Sequence, residues 1–279
     1  MKMITKEMIV GYRRHLVEEE KSDNTISKYM RDIEAFVEWL GEKHLEKVFV
    51  LEYKKILIEK YVPSSVNSKL SSLNSFFEFN KWYELKVKFL KVQRQIFAKQ
   101  NRELSKADYE KLLSEAKRKS NKRMFYLMQT ICSTGIRVSE LKYITVEAVN
   151  CRQAIINCKG KMRLVILPKQ LCKMLKGYIK ENNIKNGSVF ISKNGNPLDR
   201  SNIWLYMKKL CEHAGVARKK VFPHNLRHLF ARTFYSIQKD VVRLADILGH
   251  SSINTTRIYT METSEAHRMH IQKLGLLKY

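Results

Sequence analysis

The sequence predicts a mainly α-helical chain of two domains, with one small β-sheet in the second. Three observations carry that reading. Only four prolines and ten glycines punctuate 279 residues, which favours long helices over many short strands. Apolar side chains recur at three- and four-residue spacing in several stretches, and only one stretch changes to β-branched runs. Charge is also divided: residues 1–80 net to zero, so the whole excess of +26 lies beyond residue 80.

That excess says what kind of partner to expect. The chain holds 53 Lys and Arg against 27 Asp and Glu, with a pI near 9.9. A single phosphate pocket needs only a few cations, so an imbalance of this size points to a polyanion. With 44% hydrophobic and 29% charged residues, the chain can bury a core and is not expected to be disordered. No run of 18 apolar residues occurs, so no transmembrane helix is expected. The start, Met1 to Glu7, has no apolar segment of the kind a signal peptide needs. Cys132, Cys151, Cys158, Cys172 and Cys211 form no C-x-x-C pair and are odd in number. They read as reduced thiols of a cytoplasmic protein, not as metal ligands. No basic amphipathic segment stands out for a membrane surface. Nucleic acid leads.

Element by element, Thr25–Leu40 places Ile26, Tyr29, Met30, Ile33, Phe36, Val37 and Leu40 on one helical stripe. Ser22 or Asp23 ahead of it is a candidate N-cap. Ser64–Phe79 repeats the pattern with Val66, Leu70, Leu73, Phe76 and Phe77. Its other face carries Ser65, Asn67, Ser68, Lys69, Ser71 and Ser72, small polar side chains that either face solvent or let the helix approach a phosphate backbone. A polar stretch near residues 90–103, threaded by Lys91, Arg94, Lys99 and Arg102, marks the boundary. The expected division is a domain over 1–93, a linker over 94–103 and a second domain over 104–279. Ser105 with Asp108 resembles a capping box at the start of the second domain. Helical stretches are expected at 105–118, 122–133 and 137–148. Gln153–Leu167 then has apolar and β-branched runs on either side of Cys158-Lys159-Gly160-Lys161, a hairpin with a basic tip. From Arg200 onward the period is helical again.

The chain lacks a G-x-x-x-x-G-K-[ST] loop, a G-x-G-x-x-G turn, an H-E-x-x-H pair and an acid-rich constellation. Nucleotide use and metal-assisted hydrolysis are therefore disfavoured, and no cofactor is expected. What remains is a set of cations with one well-placed tyrosine. His224 and Arg227 lie three residues apart on one helical face. Arg137 stands in Thr134-Gly135-Ile136-Arg137-Val138-Ser139-Glu140-Leu141, where it can attract an anion at a helix start or be tied down by Glu140. Leu248-Gly249-His250-Ser251-Ser252 reads as a helix end, a histidine and a serine cap for a last helix that runs to Tyr259. Each piece alone is ordinary.

In order the pieces read T-G-I-R-V-S-E-L, C-K-G-K-M-R-L-V, P-H-N-L-R-H-L-F-A and L-G-H-S-S-I-N-T-T-R-I-Y-T. The string resembles the tyrosine recombinase (phage integrase) family, in its compact, Xer-like form. The resemblance covers nearly the whole chain. Residues 1–93, including S-D-N-T-I-S-K-Y-M-R-D-I, look like the SAM-like core-binding domain, and the rest like the mixed α/β catalytic domain. It implies Arg137 and Arg227 as the catalytic arginines, His224 as the histidine between them, Lys159 as the hairpin lysine, His250 as the second histidine and Tyr259 as the nucleophile. The hairpin turn is one residue shorter than the family's usual form, so Lys161 rivals Lys159. Candidate DNA contacts in the first domain are Thr25, Lys28, Arg31, Ser65, Asn67, Ser68, Lys69 and Ser72. The implied partners are double-stranded DNA with inverted-repeat core sites and a homo-tetramer on that DNA, with a paralogous recombinase or accessory protein possible. The tail after Tyr259, with Ala266, Met269, Ile271, Leu274, Leu276 and Leu277, packs on a neighbouring protomer in relatives. The expected location is the cytoplasm, at a bacterial or archaeal nucleoid. No arm-type DNA-binding domain is expected ahead of the core-binding region.

The chemistry suits the residue types. Attack on a phosphodiester builds negative charge on the non-bridging oxygens, which two planar, permanently charged guanidinium forks can share. A tyrosine hydroxyl, with a free pKa near 10, needs a base or strong hydrogen bonding, for which His224 is the candidate. A lysine on the hairpin can protonate the leaving 5′-oxygen, and His250 can hydrogen-bond the phosphate or orient the site. The 3′-phosphotyrosyl bond conserves the energy of the bond broken, so rejoining needs no ATP. A type IB topoisomerase shares this chemistry, and a non-cleaving DNA-binding module would share only the charge.

Overall fold

The computed structural model describes residues 2–92, 102–158, 161–259 and 272–273. The chain divides into two compact units, Met1–Arg94 and Gln95–Tyr279. Both are built mainly of helices, and the two-stranded hairpin is the one sheet among the described residues.

In the first unit, α1 (Lys6–Glu18), α2 (Asp23–Leu40), α3 (Lys47–Lys60) and α4 (Pro63–Phe79) surround an aromatic core. Phe36, Phe76, Phe77 and Tyr12 are fully buried, and Tyr12 meets Phe76 edge-on at 5.3 Å. The helix expected at 25–40 begins two residues earlier, capped by Ser22 through its backbone conformation, its hydroxyl paired with Thr25 Oγ1 at 2.9 Å. Pro63 starts α4, where its missing N–H costs nothing. Neither α1 nor α3 was marked by a strong stripe in the sequence.

The polar faces of α2 and α4 turn largely toward each other. Asp32 is 5% exposed and accepts from Ser72 Oγ at 2.8 Å, Lys28 Nζ at 3.0 Å and Lys69 Nζ at 3.1 Å. Burial would raise its pKa, but hydrogen bonds from Ser72, Lys28 and Lys69 outweigh that and hold it below the usual range. Lys28 spends its other two donors on Ser72 Oγ and the Ser68 carbonyl, at 2.9 and 2.5 Å. Asn67 pairs both amide atoms with the Leu90 backbone, and Asn74 does the same with Val87, fastening an extended segment along α4. Ser72, fully buried, is thus corrected from a candidate DNA contact to an internal tie, while Lys28, Asn67 and Lys69 make internal ties and stay half-exposed. Arg31 and Ser68 are exposed, while Thr25, Ser65 and Lys69 are half-exposed.

In the second unit the order is α5 (Lys106–Arg118), α6 (Lys122–Thr134), a 3-10 segment (Val138–Tyr143), α7 (Val146–Cys151), β1 (Gln153–Cys158), β2 (Lys161–Ile166), α8 (Lys169–Glu181), α9 (Arg200–His213), α10 (Pro223–Gln238), α11 (Val241–Leu248) and α12 (Ile253–Thr256), followed by a 3-10 turn at Arg257–Tyr259. The capping box of Ser105 and Asp108 forms as expected. The helix expected at 137–148 does not form as one piece. Thr145 caps α7 by accepting from Ala148 N, and Ile144 leaves the helix so that its carbonyl accepts from Val189 N at 2.8 Å. Arg102 and Glu103, expected in the linker, are fastened to α10: Asn225 donates to the Arg102 carbonyl at 2.6 Å, and Arg232 pairs with Glu103 and donates to the Leu104 carbonyl. In the hairpin Cys158 pairs with Lys161, and the two residues between them lie outside the described residues.

Candidate active site

Arg227 is the centre of the site, and it is 1% exposed. It stands on α10, whose packing against α6 places it between two helix ends. Its Nη1 donates to the Gly135 carbonyl at 2.6 Å, where α6 ends in a left-handed glycine. Its Nη2 donates to the Leu248 carbonyl at 2.8 Å, where α11 ends. Helix C-termini carry partial negative charge, so two of them hold this cation without a carboxylate. Burial and the neighbouring Arg137 lower its pKa to about 10, which leaves it charged at neutral pH. The glycine is required: φ is +66° at Gly135, and a Cβ there would stand 2.4 Å from the Phe230 ring.

The same guanidinium orders the second histidine. Arg227 Nη2 donates to His250 Nε2 at 2.9 Å, and His250 Nδ1 donates to Thr256 Oγ1 at 2.8 Å. Both ring nitrogens are therefore engaged, with the proton on Nδ1. Burial and the charges of Arg227, Arg137 and Arg163 lower the His250 pKa to about 4. Tyr259 is 4% exposed, packed with Ala231, Leu244 and Leu248. Its ring lies nearly parallel to His250 at 6.2 Å and edge-on to His228 at 4.8 Å. Burial raises the Tyr259 pKa, against the charge of Arg227, a hydrogen bond from it and the charge of Arg137.

Arg137 is held from behind by Glu140, a carboxylate only 2% exposed. Glu140 accepts from Arg137 N at 2.7 Å, Arg137 Nη1 at 2.9 Å and Arg163 Nη2 at 2.5 Å. Burial pushes the Glu140 pKa up, and the Arg137 backbone bond, Arg163 and the Arg137 side chain pull it below the ordinary value. Arg163, on β2, also donates to the Ile247 carbonyl at 2.6 Å and fills the space beside Gly249. The Arg137 side chain stays 42% exposed and lines a cleft of about 680 Å³ with Arg227, His224, Arg200, Trp204 and Pro223. His224 is exposed at the rim; burial of part of its ring, Arg227, Arg137 and Arg200 lower its pKa.

The structure thus brings Arg137, His224, Arg227, His250 and Tyr259 to one place. Lys159 lies outside the described residues, and Lys161 opens β2. The tail from Met261 to Tyr279 also lies outside them, apart from 272–273. The sequence reading missed Arg200, Trp204, Arg163, His228 and Thr256 as parts of the site. Only Glu140, three residues after Arg137, had a local signal.

The chain has relatives among known proteins. The model of the phage integrase family matches residues 102–266. The chain belongs to the phage integrase family. The integrase-type N-terminal SAM-like domain matches residues 9–84. Among full-length relatives, tyrosine recombinase XerD of Listeria monocytogenes serovar 1/2a is 30% identical over 272 residues, covering 89% of this chain and 91% of that one. Tyrosine recombinase XerA of Pyrococcus furiosus is 26% identical over 287 residues, covering 99% and 97%. The fold of this integrase-family chain matches a lambda integrase tetramer bound to a Holliday junction with a TM-score of 0.70 at 17% identity, covering 91% of this chain and 76% of that one.

Proposed function

We propose that this chain is a site-specific DNA recombinase that cuts and rejoins duplex DNA through a 3′-phosphotyrosyl intermediate. As a member of the phage integrase family with tyrosine recombinases as relatives along nearly all its length, it is an enzyme of DNA breakage and rejoining. The observation that carries the residue assignment is the convergence of Arg227, hydrogen-bonded to His250, and Tyr259, whose ring lies nearly parallel to His250, beside a cleft that exposes Arg137.

In this reading the two arginines bind the non-bridging oxygens of the scissile phosphate, which enters the cleft from solvent. Donors positioned in this way commonly contribute about 3–4 kcal/mol each to the transition state. Tyr259 Oη attacks phosphorus while its proton passes to His224, kept neutral at pH 7 by its lowered pKa. The P–O5′ bond breaks as the P–O(Tyr) bond forms. The 5′-oxygen takes its proton from the hairpin lysine, Lys159 or its rival Lys161. A 5′-hydroxyl of a second strand reverses the step, giving exchange through a Holliday junction within a tetramer on inverted-repeat core sites. Thr25, Lys28, Arg31, Ser65, Asn67, Ser68 and Lys69 are the first unit's proposed DNA contacts, and Arg200 joins the second unit's. The chain acts in the cytoplasm, on the nucleoid. Dimer resolution, element integration and inversion all fit this chemistry.

Covalent capture tests the reading. Wild type and Tyr259→Phe are incubated with nicked duplexes carrying a randomised segment, in EDTA and without ATP, and separated on a denaturing gel. A protein–DNA band from wild type alone is expected, and sequencing its DNA names the site. Wild type that binds DNA but forms no covalent band would reject the assignment of Tyr259.

A further inference from the structure

Of the two histidine rings that meet Tyr259 among the described residues, His228 is the one that the proposed chemistry does not use. It follows Arg227 on α10 and lies one turn beyond His224, whose ring it meets at 4.4 Å and 67°. Its own ring meets Tyr259 at 4.8 Å and 87°. His250, whose ring lies nearly parallel to the tyrosine at 6.2 Å, is pinned at both nitrogens, by Arg227 and by Thr256. The tyrosine ring therefore neighbours two imidazoles, one locked by hydrogen bonds at 6.2 Å and one closer, edge-on at 4.8 Å.

The His228 Nε2 atom is buried with no hydrogen-bond partner. No hydrogen bond from that atom therefore sets the ring's orientation. The groups around it are cationic or neutral: His224, Arg227, Arg232 and the Tyr259 ring. Burial first, then His224, Arg232 and Arg227, lower its pKa to about 3. It is a neutral ring across the whole working range of pH, so it neither repels the nearby guanidinium by charge nor carries a proton to or from the nucleophile. A T-shaped contact of this geometry fixes the orientation of the partner ring, with edge and face complementary in charge. A ring whose hydroxyl must meet a phosphorus in line gains from such a constraint, since a displacement of 1 Å can cost about 100-fold in rate.

We propose that His228 is a positioning residue for the nucleophile, its ring set edge-on against Tyr259 so as to hold it in register with the arginine pair. The proposal rests on Tyr259 being the nucleophile. It is tested by the single-turnover rate of covalent-complex formation on the randomised nicked-duplex pool, with affinity measured separately by filter binding to the same pool. Tyr259→Phe and wild type run alongside. His228→Ala is expected to form the complex at least about tenfold more slowly at saturating enzyme, with affinity for the pool unchanged. His228→Phe, which keeps an aromatic edge, restores most of the rate, and its rate–pH profile overlays that of wild type. His228→Leu keeps the volume without the aromatic edge and stays slow, which decides the matter even if the alanine variant does not fold. Wild-type rates from His228→Ala or His228→Leu would overturn the proposal. So would a phenylalanine variant as slow as alanine, or one that loses a limb of the pH profile, because the nitrogen would then be the working part. Absence of a covalent band from wild type would remove the nucleophile assignment itself, a result distinguishable from all the others.

Discussion

At the scale of single residues, the two arginines assigned to one job have opposite surroundings, and their substitutions separate accordingly. Arg227→Ala strands the Gly135 and Leu248 carbonyls and opens a void under Tyr259, so it is expected to cost about 3 kcal/mol in urea unfolding as well as abolishing cleavage. Arg137→Ala removes a half-exposed side chain; cleavage should disappear while stability and DNA binding stay near wild type, since Arg163 still pairs with Glu140 and one cation is a small part of 53. Equal losses of binding and cleavage would contradict this. Histidine protonation gives a second residue-level prediction. His250 and His228 have folded pKa values near 4 and 3, below the unfolded value near 6.5, so the unfolded chain binds more protons under mild acid. The stability they contribute is complete above about pH 6.5 and falls as pH drops toward 4, by about 1 kcal/mol each at pH 5.5. Thermal melts at pH 7.5 and 5.5 should show the loss, and His228→Phe should reduce it by about half. The identities of Arg137, His224, Arg227, His250 and Tyr259 were legible because each sits in a local motif. The role of His228 was not, because its meeting with Tyr259 depends on α11 and α12 folding back across 30 intervening positions.

Elements show where local pattern suffices and where it fails. The Ser105–Asp108 box, the stripe of α2 and the hairpin could be read because cap, stripe and turn act within a few residues. The segment 137–148 reads as a helix by apolar spacing, yet its carbonyls and N–H groups are claimed by residues 187–189, a competition invisible along the chain. The same holds for α2 and α4. Their polar faces looked like solvent or phosphate surfaces, but Asp32 draws Lys28, Lys69 and Ser72 inward. Two substitutions probe element joints. Glu140→Gln takes the charge from the buried carboxylate that fixes Arg137 and Arg163, so it should lower the melting temperature and slow cleavage while leaving affinity for DNA unchanged or higher. Gly135→Ala forces a side chain into left-handed backbone and into the Phe230 ring; a loss of at least about 1–2 kcal/mol is expected by urea titration. A neutral result would mean that α10 can shift away from α6.

For the whole molecule, the division of charge makes a binding prediction. Residues 1–80 carry no net charge, so the steep fall of affinity with salt should come mainly from the second unit. Filter binding between about 50 and 200 mM salt should give nearly the same slope for the full chain and for a chain beginning at residue 95, with weaker absolute affinity for the shorter one. A slope that halves would place the phosphate grip in the first unit. The division into a neutral and a basic part was legible from counting alone, whereas the fastening of Arg102–Leu104 onto α10 was not, since it joins residues more than a hundred apart. The anchor of Arg227 bears also on how far such a molecule can drift. Its two carbonyls belong to the main chain, which no point substitution deletes, so position 248 is free to exchange one helix-forming apolar residue for another while position 135 must remain glycine. Historical change can thus rewrite most of the text around the site, as the 30% identity to a recombinase of matching length illustrates, provided that two helices still end in the same place.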